Sequence, residues 1–232
     1  MKDLKFTGEF AIPDKTPKNE WLRHVERYKF AAKFVKGKKV LDVACGTGYG
    51  SQILLDSGAK EVIGVDVSKD AISYAKKNYS AKFLLMDATK MKALKRNYFD
   101  IVVSMETIEH VKTWEMFIGE IKRVLKPNGA VVMSAPNFTG YPFEKFFKLN
   151  TSAKFHWNFF TKEQFIKIFN KNFKKTTFFY QDKKLFAFPA RGIIEKIFRI
   201  ERDHSIRKLE SINFEPQTVL GAGQLIKKGD RK

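Results

Sequence analysis

Residues Lys39-Val-Leu-Asp-Val-Ala-Cys-Gly-Thr-Gly-Tyr-Gly50 decide how this 232-residue chain folds. A short apolar run, Lys39–Ala44, ends in a turn with glycines at 46, 48 and 50. Such a turn after a strand lets a ligand lie against bare backbone at the head of a sheet. The pattern is neither the Gly-x-Gly-x-x-Gly of dinucleotide folds nor the Gly-Lys-Ser/Thr of a phosphate loop. The expectation is therefore a nucleoside ligand that carries no phosphate.

Outward from this stretch, strands and helices alternate. Upstream, apolar residues at 21, 22, 25, 28, 31, 32 and 35 follow a helical period, with Pro17 before them and Gly37 after. Downstream, a helix from Tyr49 to Ser57-Gly58 leads to the strand Val62-Ile-Gly-Val-Asp-Val67, and Ser68 is placed to cap a helix through Asn78. Phe83–Met86, Phe99–Ser104 and Ala130–Ser134 read as further strands, the last after a helix at 113–125 and a Pro127-Asn-Gly129 turn. Continuous apolar runs alternating with helices predict an α/β fold: a mostly parallel sheet with helices on both faces. Residues 136–160 are aromatic and aperiodic, a loop-rich insertion. Thr161-Lys-Glu-Gln164 resembles a capping box opening a helix over 165–170. Thr176–Gln181 and Thr218–Ile226 read as late strands, and Pro189 starts a helix to about Ile200.

Composition narrows the class. Hydrophobic residues are 44% and aromatics 14%, too apolar for a disordered basic tail. One Cys excludes a disulfide framework or a Cys-based zinc module, so a reducing, cytoplasmic setting is expected. No run approaches the roughly 18 apolar residues of a membrane-spanning helix, and the N-terminus lacks a signal-peptide core. The net charge of +19 comes from 35 Lys but only 9 Arg and is spread along the chain. Arg is the residue of specific phosphate and base readout, so most of these lysines read as a solvated face, with a minority left for an anionic partner. Fifteen of the 23 Phe lie beyond residue 140, as a lid over a pocket or as ordinary packing.

Three acidic residues, Asp42, Asp66 and Asp87, close successive strands. Asp66 is placed to accept ribose hydroxyls and Asp87 an adenine amino group. Singly, each also reads as a helix cap or turn; as an ordered set they do not. Together Val40–Gly50, Val65-Asp66, Met86-Asp87-Ala88 and Val124-Leu-Lys-Pro-Asn-Gly129 resemble class I S-adenosylmethionine-dependent methyltransferases over residues 20–135. The resemblance implies a Rossmann-like seven-stranded sheet with one antiparallel strand. It also implies S-adenosyl-L-methionine as cofactor and S-adenosyl-L-homocysteine as product. Gly46 and Gly48 then approach the methionine, Asp66 binds ribose, and Asp87 with Ala88 meets adenine. Asp42, Ala44, Val67 and Met105 complete the contacts, and Tyr28 closes over them. The chain divides accordingly into an N-terminal helical cap (1–36), a cofactor-binding core (37–135), a substrate-side insertion (136–160) and the C-terminal part of the sheet (161–232).

Ser104-Met-Glu-Thr-Ile-Glu-His-Val111 stands where an acceptor meets the methyl group. It lacks the Asn/Asp-Pro-Pro-Tyr/Phe of some N-methyltransferases. On a helical turn, Glu106, Glu109 and His110 lie at i, i+3 and i+4 and face one way. Either a cation joins them or a local network orients His110. With His156, in Phe155-His-Trp-Asn158, the pattern resembles metal-dependent 2′-O-methyltransferases of small-RNA 3′ ends. Met105–Val111 alone resembles ubiquinone-pathway O-methyltransferases, and the stretch with Ser134-Ala-Pro-Asn137 resembles bacterial glycan-modifying methyltransferases. Each implies a hydroxyl acceptor. A divalent ion (Mn, Fe, Co, Zn or Mg) held by Glu106, Glu109, His110 and His156 would bind adjacent hydroxyls and lower the pKa of one. The metal-free alternative has His110 or His156 as general base, and Glu106 joins them in the catalytic set. The expected acceptor is a sugar, nucleotide-linked sugar or glycan, phosphate-bearing or not. RNA ribose is the alternative favoured by net charge and disfavoured by scarce Arg. A quinone-pathway substrate is the third reading, with peripheral membrane contact through the basic Arg191–Arg207 stretch. His24 and His204 read as structural or surface residues.

Overall fold

A computed structural model describes residue 4 and residues 10–138, 155–183, 206–208 and 216–225. Among the described residues, five α-helices, α1 (Lys18–Ala32), α2 (Tyr49–Asp56), α3 (Lys69–Asn78), α4 (Trp114–Val124) and α5 (Lys162–Asn172), alternate with the strands. The strands are β1 (Lys39–Val43), β2 (Glu61–Asp66), β3 (Lys82–Leu85), β4 (Phe99–Ser104), β5 (Leu125–Pro136), β6 (Phe173–Lys183), β7 (Ile206–Lys208) and β8 (Pro216–Leu225). They form one sheet in the order β3-β2-β1-β4-β5-β8-β6-β7. β1 to β5 are mutually parallel, and β8 runs antiparallel between β5 and β6. This is the expected mixed sheet of seven strands, to which the three-residue β7 adds an antiparallel edge beside β6.

The period-2 alternation of strand side chains distributes the core between two faces. Leu41, Val43 and Val102 pack with Phe117 and Ile121 of α4 and with Phe165 and Phe169 of α5. Val40, Val62, Ile101 and Val103 pack on the other face with Phe30 and Ala31 of α1, Leu54 of α2 and Ala75 of α3. The late phenylalanines among the described residues mostly serve ordinary packing. Phe165, Phe169 and Phe173 are buried, and the missing side chain of Gly221 makes room for the Phe169 ring, 2.9 Å from where its Cβ would stand.

Local signals explain most boundaries. The Ser68 hydroxyl accepts from the Ala71 amide at the start of α3, and Thr161 with Gln164 forms the expected capping box of α5. Several boundaries differ; α5 and β6 each start three residues before the expected position, at Lys162 and Phe173. α1 starts at Lys18, three residues earlier than the apolar period suggested, because Pro17 precedes a helix without needing a donor of its own. β5 starts at Leu125 rather than after the Pro-Asn-Gly turn. Its register against β4 shifts between Phe99 and Ile101, and Asn128, at φ 66°, bulges within it. The helix expected over 189–200, most of the 136–160 insertion, most of the Arg191–Arg207 stretch, and His204 lie outside the described residues. No described helix is long and apolar enough to cross a membrane.

Candidate active site

The sheet's strand order reverses between β1 and β4, and there a cavity of about 670 Å³ opens at the carboxyl ends of the strands. Two non-glycine residues in left-handed conformations flank this point: Ala44 after β1 at φ 58° and Glu106 after β4 at φ 51°. Such backbone costs on the order of 1–3 kcal/mol per residue and recurs where a turn must aim groups into a site.

The β1–α2 turn forms one wall. Gly46, at φ 53°, donates its amide to Asp66 Oδ2 at 2.8 Å, while Ser68 N donates to Oδ1 at 2.8 Å. Each Asp66 oxygen keeps a lone pair for a hydroxyl. Burial raises the Asp66 pKa, opposed by these backbone bonds. Val67, 72% exposed, offers an apolar face beside it. Tyr28, Ala44, Gly46, Asp66, Val67 and Met105, six of the residues the resemblance assigns to the cofactor, all line the cavity.

Four other expected contacts are placed differently. Asp42 is fully buried behind the wall, accepting from Tyr28 Oη at 3.1 Å and Ser51 Oγ at 2.6 Å. Strand alternation puts it on the face of Val40, under α1 and α2, where it supports Tyr28. Burial, only partly offset by the Ser51 and Tyr28 bonds, pushes its pKa up to about 7. Gly48 starts α2 at φ 86°, and a Cβ there would stand 2.7 Å from the Cβ of Ala75 and 2.8 Å from the Phe83 ring. Helix packing therefore demands that glycine. Asp87 and Ala88 do not line the cavity. Asp87 Oδ1 accepts from Thr89 N and Oγ1, both at 2.7 Å, the local turn it also predicted, and Ala88 packs against the core.

The opposite end is built by the segment after β4. Only Ile108–His110 is helical, as one 3₁₀ turn, and Glu106 precedes it in left-handed backbone. The expected shared face of Glu106, Glu109 and His110 therefore does not form. Glu106 instead accepts from Ser134 Oγ at 2.7 Å and pairs with Arg27 Nη2 at 3.6 Å. His156 takes its place: ligand atoms of Glu109, His110 and His156 lie within 4.8 Å of one another, with the two imidazole centroids 4.6 Å apart. The 155–158 segment is pinned there by Trp157 N and Asn158 N donating to Glu109 O at 2.8 and 3.0 Å. Asn158 Nδ2 reaches Val111 O at 2.7 Å.

The chemistry of this cluster follows from its desolvation. His110 Nδ1 lies 3.0 Å from the carbonyl of Phe155; a carbonyl only accepts, so Nδ1 carries the proton and a neutral ring leaves Nε2 with its lone pair. Glu109 is 1% exposed, and its Oε2 has no hydrogen-bond partner among the described residues. Burial first, then Glu106, holds its carboxyl well above the usual range. Burial and the neighbouring His110 pull His156 down to about 4. Burial thus opposes charge on both the Glu109 carboxyl and the His156 ring, and a cation held between them would offset that cost for a carboxylate. Atoms bound to one ion at about 2.1 Å lie about 3.0–3.4 Å apart at octahedral or tetrahedral angles, so the three ligands, now within 4.8 Å of one another, would draw together around it.

Helix α1 supplies a wall that the sequence reading did not anticipate. Glu20, Arg23, His24 and Arg27, spaced i, i+3, i+4 and i+7, line the cavity. His24 is therefore a cavity residue rather than a surface one, held uncharged by burial and by Arg27 and Arg23. The signal was present: these positions interleave with the apolar stripe at 21, 25 and 28. It reads equally as a solvated face until the sheet is placed beneath it. Thr218 of β8 joins this wall, and Ser134 of β5 holds Glu106 beside it.

Comparison with known proteins agrees with this geometry. Residues 41–133 match the family described as Methyltransferase domain. The sheet has the Rossmann-like fold of class I methyltransferases, and the matched stretch is similar to their methyltransferase domain. A protein of Mycolicibacterium smegmatis named as a probable S-adenosylmethionine-dependent methyltransferase is 33% identical over 135 residues, 58% of this chain and 52% of the relative. The ubiquinone biosynthesis O-methyltransferase of Bradyrhizobium diazoefficiens is 37% identical over 118 residues, covering 50% and 46%. The chain spans about half the length of the curated relatives it matches. Among solved structures, a methyltransferase from Thermotoga maritima superposes with a TM-score of 0.68 at 20% identity, covering 90% and 94% of the two chains. One from Archaeoglobus fulgidus gives 0.63 at 21%, covering 89% and 94%.

Proposed function

We propose that this chain moves the methyl group of S-adenosylmethionine onto a hydroxyl oxygen of a small acceptor: a sugar, nucleotide-linked sugar or glycan end. The observation that carries this reading is the convergence of Glu109, His110 and His156 at one end of a cavity whose other end presents the Asp66 carboxylate. The sulfonium supplies a carbon already activated for displacement. The protein's share is to align an oxygen with it and take the oxygen's proton. Asp66, with Val67 beside it, holds the nucleoside, and Met105 separates the two ends.

An aliphatic hydroxyl is a weak nucleophile at neutral pH. Glu109, His110 and His156 would hold a divalent ion, leaving open positions for two neighbouring hydroxyls. A carboxylate with two imidazoles suits Mn, Fe, Co or Zn better than Mg. Without an ion, an imidazole of His110 or His156 takes the proton. The new O–C bond forms as the C–S bond breaks in line, and a neutral thioether leaves.

A quinone-pathway phenol is the second reading. It is favoured by relatives named ubiquinone biosynthesis O-methyltransferases and by Phe138, Phe155 and Trp157 on the cavity wall. Transfer of labelled methyl to a panel of nucleotide sugars, free glycans, catechols and short RNA, with and without chelator, tests both. Label on a sugar hydroxyl, lost with chelator, supports the leading reading. Label on catechol alone selects the second, and label on RNA alone refutes both.

A further inference from the structure

Methyl transfer as described leaves one buried cation on the cavity wall unused. Arg27 is 4% exposed. Its Nε donates to Gln181 Oε1 at 2.9 Å, and its Nη2 reaches Thr218 Oγ1 at 3.5 Å and Glu106 Oε2 at 3.6 Å. Nη1 is buried with no hydrogen-bond partner among the described residues. An unmet donor of a buried charged group is costly, and the group that relieves it best is an anionic oxygen.

We propose that the methyl acceptor carries an anionic oxygen group, a phosphate or a carboxylate, which binds Arg27 Nη1 beside Arg23 and His24. This rests on the reading of the cavity as the acceptor site. Topology separates the subsite from the nucleoside end. Arg27 is anchored to β6, to β8 and to the residue two beyond β4, whereas Asp66 and Val67 stand at the end of β2, on the other side of β1. Glu106 partners Nη2 and Glu20 shares the wall. Arg23 supplies a second positive charge there, and the neutral His24 ring supplies one N–H donor. The net charge of +19 adds long-range attraction for the same kind of ligand.

The test is calorimetric titration of inorganic phosphate, and separately of malonate, into the full chain. The protein is saturated beforehand either with S-adenosylhomocysteine or with 5′-methylthioadenosine, which lacks the amino-acid tail. One anion binding at 1:1 with equal affinity in both forms is expected, and the tighter of the two probes names the group. Arg27→Gln should weaken that binding about 10- to 100-fold, as for a hydrogen bond to a charged group, while S-adenosylhomocysteine affinity stays within about twofold. Where Arg27→Gln does not fold, Arg27→Lys and Arg23→Gln give the same readout with the wall's packing less disturbed. Anion binding seen only with methylthioadenosine would assign the subsite to the cofactor's own carboxylate and overturn the proposal. So would the absence of saturable binding, or binding unchanged in the variants. Failure of methyl transfer to any hydroxyl, with anion binding intact, would instead refute the O-methylation reading and leave this site standing.

Discussion

Replacing Asp42 with Asn should make the protein more stable as pH rises, relative to the parent chain. The carboxyl is fully buried against Tyr28 and Ser51, and its pKa rises from 3.8 in an ordinary setting to about 7. Between these values the folded chain keeps a proton that the unfolded chain has released. Stability from this group is therefore greatest in acid and is lost as pH climbs through the folded pKa. The linkage integral between pH 5 and pH 8 amounts to about 2–3 kcal/mol, on the order of 1 M in urea midpoint. Asn has the same shape and no ionisation. Its Oδ1 can accept from one hydroxyl, while the other hydroxyl turns to accept from Nδ2. Urea denaturation of Asp42→Asn and the parent at pH 5, 6, 7 and 8 should give stability curves that diverge steadily toward high pH. Parallel curves, within about 0.5 kcal/mol, would show that Asp42 ionises normally in the fold and refute the buried placement under α1 and α2.

Asp66→Ala should weaken S-adenosylhomocysteine binding about 100-fold, the loss of charge-assisted bonds to a ribose; calorimetry showing less than a threefold loss would remove Asp66 from the cofactor site. Glu109→Gln and His156→Ala should each abolish the visible absorption band that Co²⁺ develops on binding and lower methyl transfer by at least about 100-fold. Transfer that persists in His156→Ala and in chelator would exclude the ion. Thr161→Ala, which breaks the capping box with Gln164, should cost about 1 kcal/mol, or about 2–4 °C in Tm, with cofactor affinity unchanged.

Much of the architecture could be read without coordinates, because strand and helix signals are local. β1, β2 and β4 are largely apolar runs, and α3 and α5 open on hydroxyl caps three residues before the amide they satisfy. The Gly-rich turn and Asp66 were legible for the same reason: strand, turn and acidic terminus are consecutive in the chain. Helical spacing misled at Glu106, whose left-handed backbone breaks the turn that the i, i+3, i+4 pattern assumed. No local rule predicts that conformation; the Ser134 hydroxyl and Arg27, 28 and 79 residues away in sequence, hold its carboxylate there.

Fold class was thus legible in the sequence alone, since each strand and helix signal rests on neighbours within about ten positions, while the cofactor and the candidate acceptor residues were suggested by motifs spread from residue 40 to residue 156. Which face each side chain presents was decided only by tertiary structure. Asp42 turned inward because strand parity set it beneath two helices. Gly48 packs so close to Ala75 of α3 and to Phe83 that no Cβ fits there. Glu20, Arg23, His24 and Arg27 became a cavity wall because α1 lies across the ends of strands 70 to 190 residues further along. Burial converts such contacts into chemistry: it disfavours charge on Glu109 and leaves one Arg27 donor unmet among the described residues. Desolvation is a property of the assembled fold that no stretch of sequence carries by itself.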